Sequence, residues 1–176
     1  MKLLKGNIIH APTLEKLETI ENGALLLEDD GTIREVLHAA PQDFDGRVYD
    51  CSGQLIMQSF ADMHLHAPQF PNVGMGMDLP LLDWLKTYTF PVEAKFADLD
   101  YARRIYRRLA HDLIANGTTR VCMFSSLHTD ATLVLMEELE NAGVTGFVGK
   151  VNMDRNGGEN LEETYRGVHP RNAPLA

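Results

Sequence analysis

The chain has 176 residues, a formal charge of −9 and a pI of about 5.2. That length carries one core, or a small domain with part of a larger one, and the acidic balance argues against a nucleic-acid partner, because phosphate binding needs a basic face. Two cysteines, Cys51 and Cys122, form no CxxC pair, no stretch nears the ~20 apolar residues of a membrane span, and residues 1–9 lack the apolar core of a signal peptide, so a reduced, cytoplasmic protein without a membrane partner is expected.

Taken in chain order, residues 1–57 read as β structure. Strands are expected over 2–9, 24–28, 32–37 and 48–56, with Asp29-Asp30-Gly31 as a hairpin turn signal. Short strands with tight turns predict a small sheet or sandwich. An apolar run starting near Leu55 then closes in Asp62-Met63-His64-Leu65-His66. Side chains alternate along a strand, so His64 and His66 share one face, and Asp62 shares it with them.

Residues 67–97 follow as a long connection containing Gly74 and Gly76, with a helical piece expected over 81–88. Long connections inside compact domains are often functional lids. Asp98 is a good cap for a helix in which Ala102, Ile105, Leu109 and Leu113 recur at helical spacing, and Asn116-Gly117 ends it. Its basic cluster, Arg103, Arg104, Arg107 and Arg108, reads as a solvated face. A strand over 119–125, a helix over 130–141 halted by Gly143, and a strand over 144–151 complete the pattern. Strand alternating with helix predicts a parallel α/β arrangement.

In parallel α/β barrels, functional groups collect where strands end and loops begin. Three such places occur here: His64 with His66; residues 125–130 with His128; and residues 152–156 with Asp154 and Arg155. Neutral imidazole nitrogens suit zinc at about 2 Å, and two of them make half of a typical four-ligand site. Asp62 is placed to orient a ligand from behind. The plain alternatives are two surface histidines on an edge strand, loop packing for His128, and core or lid packing for Trp84.

Several segments resemble one family. They are His64-Leu-His-Ala-Pro-Gln-Phe70, Asp78-Leu-Pro-Leu-Leu-Asp-Trp-Leu85, Tyr88-Thr-Phe-Pro-Val-Glu93, Asn116-Gly-Thr-Thr119, His128-Thr-Asp130 and Gly149-Lys-Val-Asn-Met-Asp154. The D-x-H-x-H strand is similar to the metal-binding first strand of the amidohydrolase superfamily. The H-A-P-Q segment with D-L-P-L-L-D-W-L resembles its guanine deaminase branch. The resemblance implies a distorted (β/α)₈ barrel beside a small β-sandwich subdomain. On that basis residues 1–57 are part of the sandwich, and 58–164 are the first βα units of an incomplete barrel.

The resemblance further implies one zinc ion and hydrolytic deamination of guanine to xanthine and ammonia, in an enzyme that forms a homodimer. His64 and His66 correspond to zinc ligands. His66, Ala67, Pro68 and Gln69 would border the purine, with the Gln69 amide offering it a donor and an acceptor. Asp154 and Arg155 would help to shape the rim. Gln58-Ser59 stand before Phe60 where the family usually has Pro-Gly, which implies an altered strand entry. The pattern of unrelated zinc deaminases, H-x-E with P-C-x-x-C, is absent.

The family's remaining ligands, a later His and a late Asp, its catalytic Glu and a purine-holding Arg are expected from strands past residue 176. An inactive truncation with weak metal binding and an open barrel edge is therefore expected. Residues 165–176 read Y-R-G-V-H-P-R-N-A-P-L-A, with no helical periodicity, where the resemblance implies an acidic amphipathic helix. Permissible codons shifted by one base encode I-E-E-S-I-R-E-T-L-R-W, which points to a frameshift near Thr164 and an aberrant tail; the plain alternative is a disordered natural C-terminus. Alternatives are an amidohydrolase acting on another purine or a triazine ring, and a non-catalytic fragment that binds a partner through its open edge.

Overall fold

Polar and apolar strand residues build the first of two units, Met1–Gln58, in a computed structural model that describes residues 1–157 and 161–163. The expected aberrant tail over 165–176, with His169, lies outside the described residues. Strand β1 (Lys2–Thr13) pairs antiparallel with β2 (Lys16–Leu27), which pairs antiparallel with β3 (Ile33–Leu37). Strand β4 (Arg47–Met57) runs parallel to β1, so the four-stranded sheet has the order β3-β2-β1-β4. Ile8, Ile20 and Leu25 form its buried cluster, with Leu4, Leu27, Val36 and Ile56 packed against them.

The turn after β2 forms as expected. Glu28 N–H donates to the Thr32 carbonyl (2.9 Å), and the Asp30 carboxylate accepts from Thr32 N–H (2.9 Å). Two strands extend beyond their expected limits. Residues 10–13 pair with 16–18 at the far end of the β1–β2 ladder, through His10 with Glu18 and Thr13 with Lys16. Backbone pairing needs no apolar side chain, so this exposed, polar end of the hairpin carries no hydrophobic pattern to read. The apolar run from Leu55 also divides: its first residues finish β4 at Met57, and a new strand begins at Phe60.

The second unit, Ser59–Ala176, holds a parallel three-stranded sheet in the order β5-β6-β7. Its strands are β5 (Phe60–His66), β6 (Thr118–Phe124) and β7 (Thr145–Gly149). The connection after β5 is more helical than expected. A 3₁₀ turn, Ala67–Asn72, leads to α1 (Leu81–Trp84), a wide π turn (Leu85–Thr89), α2 (Phe90–Glu93) and a 3₁₀ turn (Ala94–Ala97). Helical backbone thus runs past residue 88, through Pro91. That proline sits in the first turn of α2, and the widened turn before it accommodates the carbonyl that Pro91 leaves without an N–H donor.

Helix α3 (Leu99–Ala115) starts where Asp98 Oδ1 accepts the N–H groups of Asp100 (2.9 Å) and Tyr101 (3.2 Å). Helix α4 (Thr129–Ala142) ends on Gly143, whose φ of +78° a glycine adopts without strain. Phe96, Tyr106, Leu109, Val121, Met123 and Leu135 lie in the buried core between sheet and helices. Gly146 in β7 has φ +148°, and a Cβ there would run into the Val121 backbone carbonyl, so only glycine lets β7 lie this close to β6.

The basic cluster on α3 is not simply solvated. Arg103 and Arg107 both reach Glu138 of α4, whose side chain is 4% exposed. Arg108 pairs with Asp112 one turn on, and Arg104 lies over the Tyr101 ring. The correction has a simple cause: Glu138 falls on the buried face of α4, and only the packing of the two helices brings the arginines to it. Among the described residues no helix is long and apolar enough to cross a membrane, and Cys51 and Cys122 are both free thiols.

Candidate functional site

The end of β5 is bent by a bulge. Between Asp62 and Leu65 the strand spends three steps where β6 spends two, from Val121 to Met123. The Asp62 carboxylate accepts the His64 backbone N–H at 3.1 Å within that bulge, a local bond that competes with ladder pairing. Beyond it the two imidazoles meet, with ring centroids 5.3 Å apart and planes at 70°. Phe124, at the end of β6, lies 5.0 Å from the His66 ring and 5.9 Å from the His64 ring.

His64 is exposed and His66 half-buried. Burial, and then the neighbouring His64, push the His66 pKa down. Both effects favour the neutral imidazole, the form that binds a metal. The pair therefore fits zinc as two nitrogen donors. Among the described residues no group of three His, Cys, Asp or Glu side chains is gathered to hold an ion. Asp62, His128 and Asp154 do not join the pair in such a cluster.

The turn after His66 supplies polar groups on a buried framework. Ala67 and Pro68 are buried, and Gln69 is half-buried. Gln69 Nε2 donates to Glu93 Oε1 at 3.1 Å, and Asn72 Nδ2 approaches Thr89 Oγ1 at 3.4 Å. These two links tie the Ala67–Asn72 turn to the helical segment that ends at Glu93. Glu93 is 6% exposed; burial pushes its carboxyl up, and the Gln69 hydrogen bond partly offsets this. Tyr106, fully buried, lies 3.3 Å from Ser125 Oγ at the end of β6, and burial pushes its hydroxyl up to about 12.

His128 precedes α4 without capping it by its side chain. Its backbone N–H donates to Ser126 Oγ (3.3 Å), and its Nε2 is buried with no hydrogen-bond partner among the described residues. Burial lowers its pKa, with Glu163 opposing and Lys150 adding to that shift. Lys150, just past β7, donates to the carbonyls of Leu127 (3.1 Å) and Val151 (2.9 Å) and to Glu163 (2.6 Å), so it ties together the segments that follow β6 and β7. Asp154 forms a two-point pair with Arg155, both bonds 2.9 Å. Trp84 donates to the Met75 carbonyl (2.8 Å) and helps to line a groove with Gly76, Met77, Leu79 and Leu81.

Sequence reasoning did not single out Phe124, Glu93 or the Lys150–Glu163 pair. Glu93 closes the Tyr88–Glu93 segment noted above, and a lone acid in an apolar stretch was its only signal. Lys150 stands inside the Gly149–Asp154 segment noted above without being marked out in it, and Phe124 had no signal, because their neighbours at the site come from distant parts of the chain.

Residues 55–174 match the amidohydrolase family. The chain is 35% identical to a guanine deaminase of Dictyostelium discoideum, over 93% of this chain and 40% of that protein. Among solved structures, it superposes on the guanine deaminase of C. acetobutylicum with bound guanine in the active site. That match has a TM-score of 0.86 and 42% identity, over 95% of this chain and 40% of the other. The E. coli guanine deaminase gives a TM-score of 0.82 and 32% identity, over 93% and 40%. The chain thus spans about 40% of the length of these relatives.

Proposed function

The chain belongs to the amidohydrolase family, and from that premise we propose that its site serves the zinc-dependent hydrolysis of guanine to xanthine and ammonia. The observation that carries this reading is the joining of His64 and His66, 5.3 Å apart, to a Gln69 amide tethered three residues later. Residues 58–164 are taken as the first βα units of the family's barrel, and 1–57 as a separate β subdomain. A homodimer in the cytoplasm goes with the same reading.

In this proposal His64 and His66 hold the metal and border the base together with Ala67, Pro68 and Gln69. Zinc, when bound, supplies a water whose pKa falls toward ~7. The depressed His66 pKa keeps that ring free of a competing proton. Phe124 walls one side of the imidazole pair. The Gln69 amide meets the hydrogen-bonding edge of the base. His128 and Asp154 would belong to the same rim, His128 through its unpartnered ring nitrogen, and Asp62 stays behind the ligands as the group that shapes the bulge.

The test supplies the full chain with zinc and follows zinc uptake, xanthine and ammonia together, in wild type and His66→Ala. The expected result is zinc uptake and zinc-dependent guanine binding, both lost in the variant, with xanthine and ammonia at the level of the zinc-free control, since no third donor joins the pair among the described residues. Faster ammonia release from another purine or from a triazine would overturn the substrate. Zinc uptake with neither binding nor turnover of guanine would overturn the reading as a whole.

A further inference from the structure

Glu93 is a buried acid whose one side-chain hydrogen bond comes from a neutral amide, Gln69 Nε2 at 3.1 Å. No arginine or lysine pairs with it among the described residues. Holding a carboxylate at 6% exposure with so little compensation is costly. A neutral side chain of the same shape would avoid that cost, so a packing role does not account for the acid.

Its chemistry supplies a reason. An ionised carboxylate accepts hydrogen bonds and donates none, whereas an amide has two different ends. While Glu93 is ionised, only the Nε2 end of Gln69 can satisfy it. The Oε1 end is then turned away, and it carries no hydrogen bond among the described residues. The turn that holds Gln69 is half-rigid for a second reason, since Asn72 three residues on is tied to Thr89 of the same helical segment. Gln69 begins three residues after His66, at the site described above.

Building on the proposed function, we propose that Glu93 is a positioning residue: it fixes the polarity of the Gln69 amide so that Oε1 faces the base and selects rings with N–H donors on their pyrimidine edge. Guanine has such donors. Unsubstituted purine has none and presents only ring-nitrogen acceptors there, which Oε1 repels.

The experiment has two arms, both on the full chain. The first reads the Gln69 side-chain amide by ¹⁵N NMR in wild type and Glu93→Leu, which has no acceptor at that place, with the exposed Gln42 and Gln54 amides as internal references. A hydrogen bond of this kind slows exchange about tenfold. Wild-type Gln69 is expected to show that protection and a shifted NH₂ pair, and Glu93→Leu to lose both while backbone spectra stay folded. Equal Gln69 exchange in the two proteins overturns the proposal. The second arm compares guanine with purine by binding to the zinc-loaded chain. Wild type is expected to prefer guanine by about tenfold or more, and the preference to fall toward one in Glu93→Leu. An unchanged ratio overturns the proposal. A wild-type chain that binds neither base counts against the deaminase reading instead, and the amide exchange still decides the orientation of Gln69.

Discussion

Replacing Glu138 by alanine tests how α3 and α4 are joined. The carboxylate is 4% exposed and accepts from Arg103 Nη1 (3.0 Å), Arg107 Nε (3.0 Å) and Arg107 Nη2 (3.1 Å). Each hydrogen bond to a charged group contributes about 1.5–3 kcal/mol when its partner has no alternative. Here the partners do have one. The Arg103 and Arg107 side chains are 39% and 68% exposed, so water replaces Glu138, and Arg103 keeps Glu137 at 2.9 Å. Screening at such exposed arginines reduces the ion-pair part toward the surface value of about 0–1 kcal/mol. Alanine also removes the cost of burying the carboxylate. The net loss expected is about 1–2.5 kcal/mol, well below the sum of three bonds.

Urea unfolding followed by circular dichroism reads this directly, as a drop in midpoint of about 0.5–1.5 M at the usual slopes. The pH dependence supplies the sign. Arg107 first, and then Arg103, hold the Glu138 carboxyl below its ordinary value against the opposing effect of burial. The contribution is full above the unfolded carboxyl's value of about 4.3 and is lost as pH falls through the lower folded value. The gap between wild type and Glu138→Ala therefore closes below about pH 4. Equal stability at pH 7, or a gap that is undiminished at pH 3, would refute the reasoning.

Asp98→Ala removes the acceptor for two N–H groups and is expected to cost about 1 kcal/mol, with faster amide exchange at Asp100 and Tyr101; unchanged exchange there would contradict the cap. Gly146→Ala combines a strained φ of +148° with a clash on the Val121 carbonyl, for a loss of about 3 kcal/mol in thermal unfolding. A variant that melts with wild type would show that β6 and β7 can separate freely. His64→Ala and His66→Ala should each abolish the weak zinc binding of the pair, read by direct zinc titration, and the double variant should be no worse than either. Retention in either single variant would show that zinc binds elsewhere.

Much of the site was legible in the chain because its signals are local. Alternation along a strand is enough to put His64 and His66 on one side, and Gln69 follows in the same short segment. The helix from Asp98 to Asn116 was legible for a similar reason, since both of its ends are marked by residues whose side chains or φ values act on the backbone nearby. The bulge at Asp62 was not, because it depends on how β5 counts against β6. The helical run through Pro91 was also missed, because a proline inside a helix is normally a stop and only a wide turn admits it.

What the sequence alone determined was the order of strands and helices, the histidine pair and the family resemblance, all of which rest on residues adjacent in the chain or one turn apart. Tertiary structure decided the partners: Phe124 beside the imidazoles, Glu93 on Gln69, Lys150 across two loops, and Glu138 between two arginines read as solvated. Each of these contacts joins residues at least 23 positions apart except that of Lys150 with Val151 and Glu163. Such a contact depends on the packing of whole elements, and neither spacing nor composition encodes it locally.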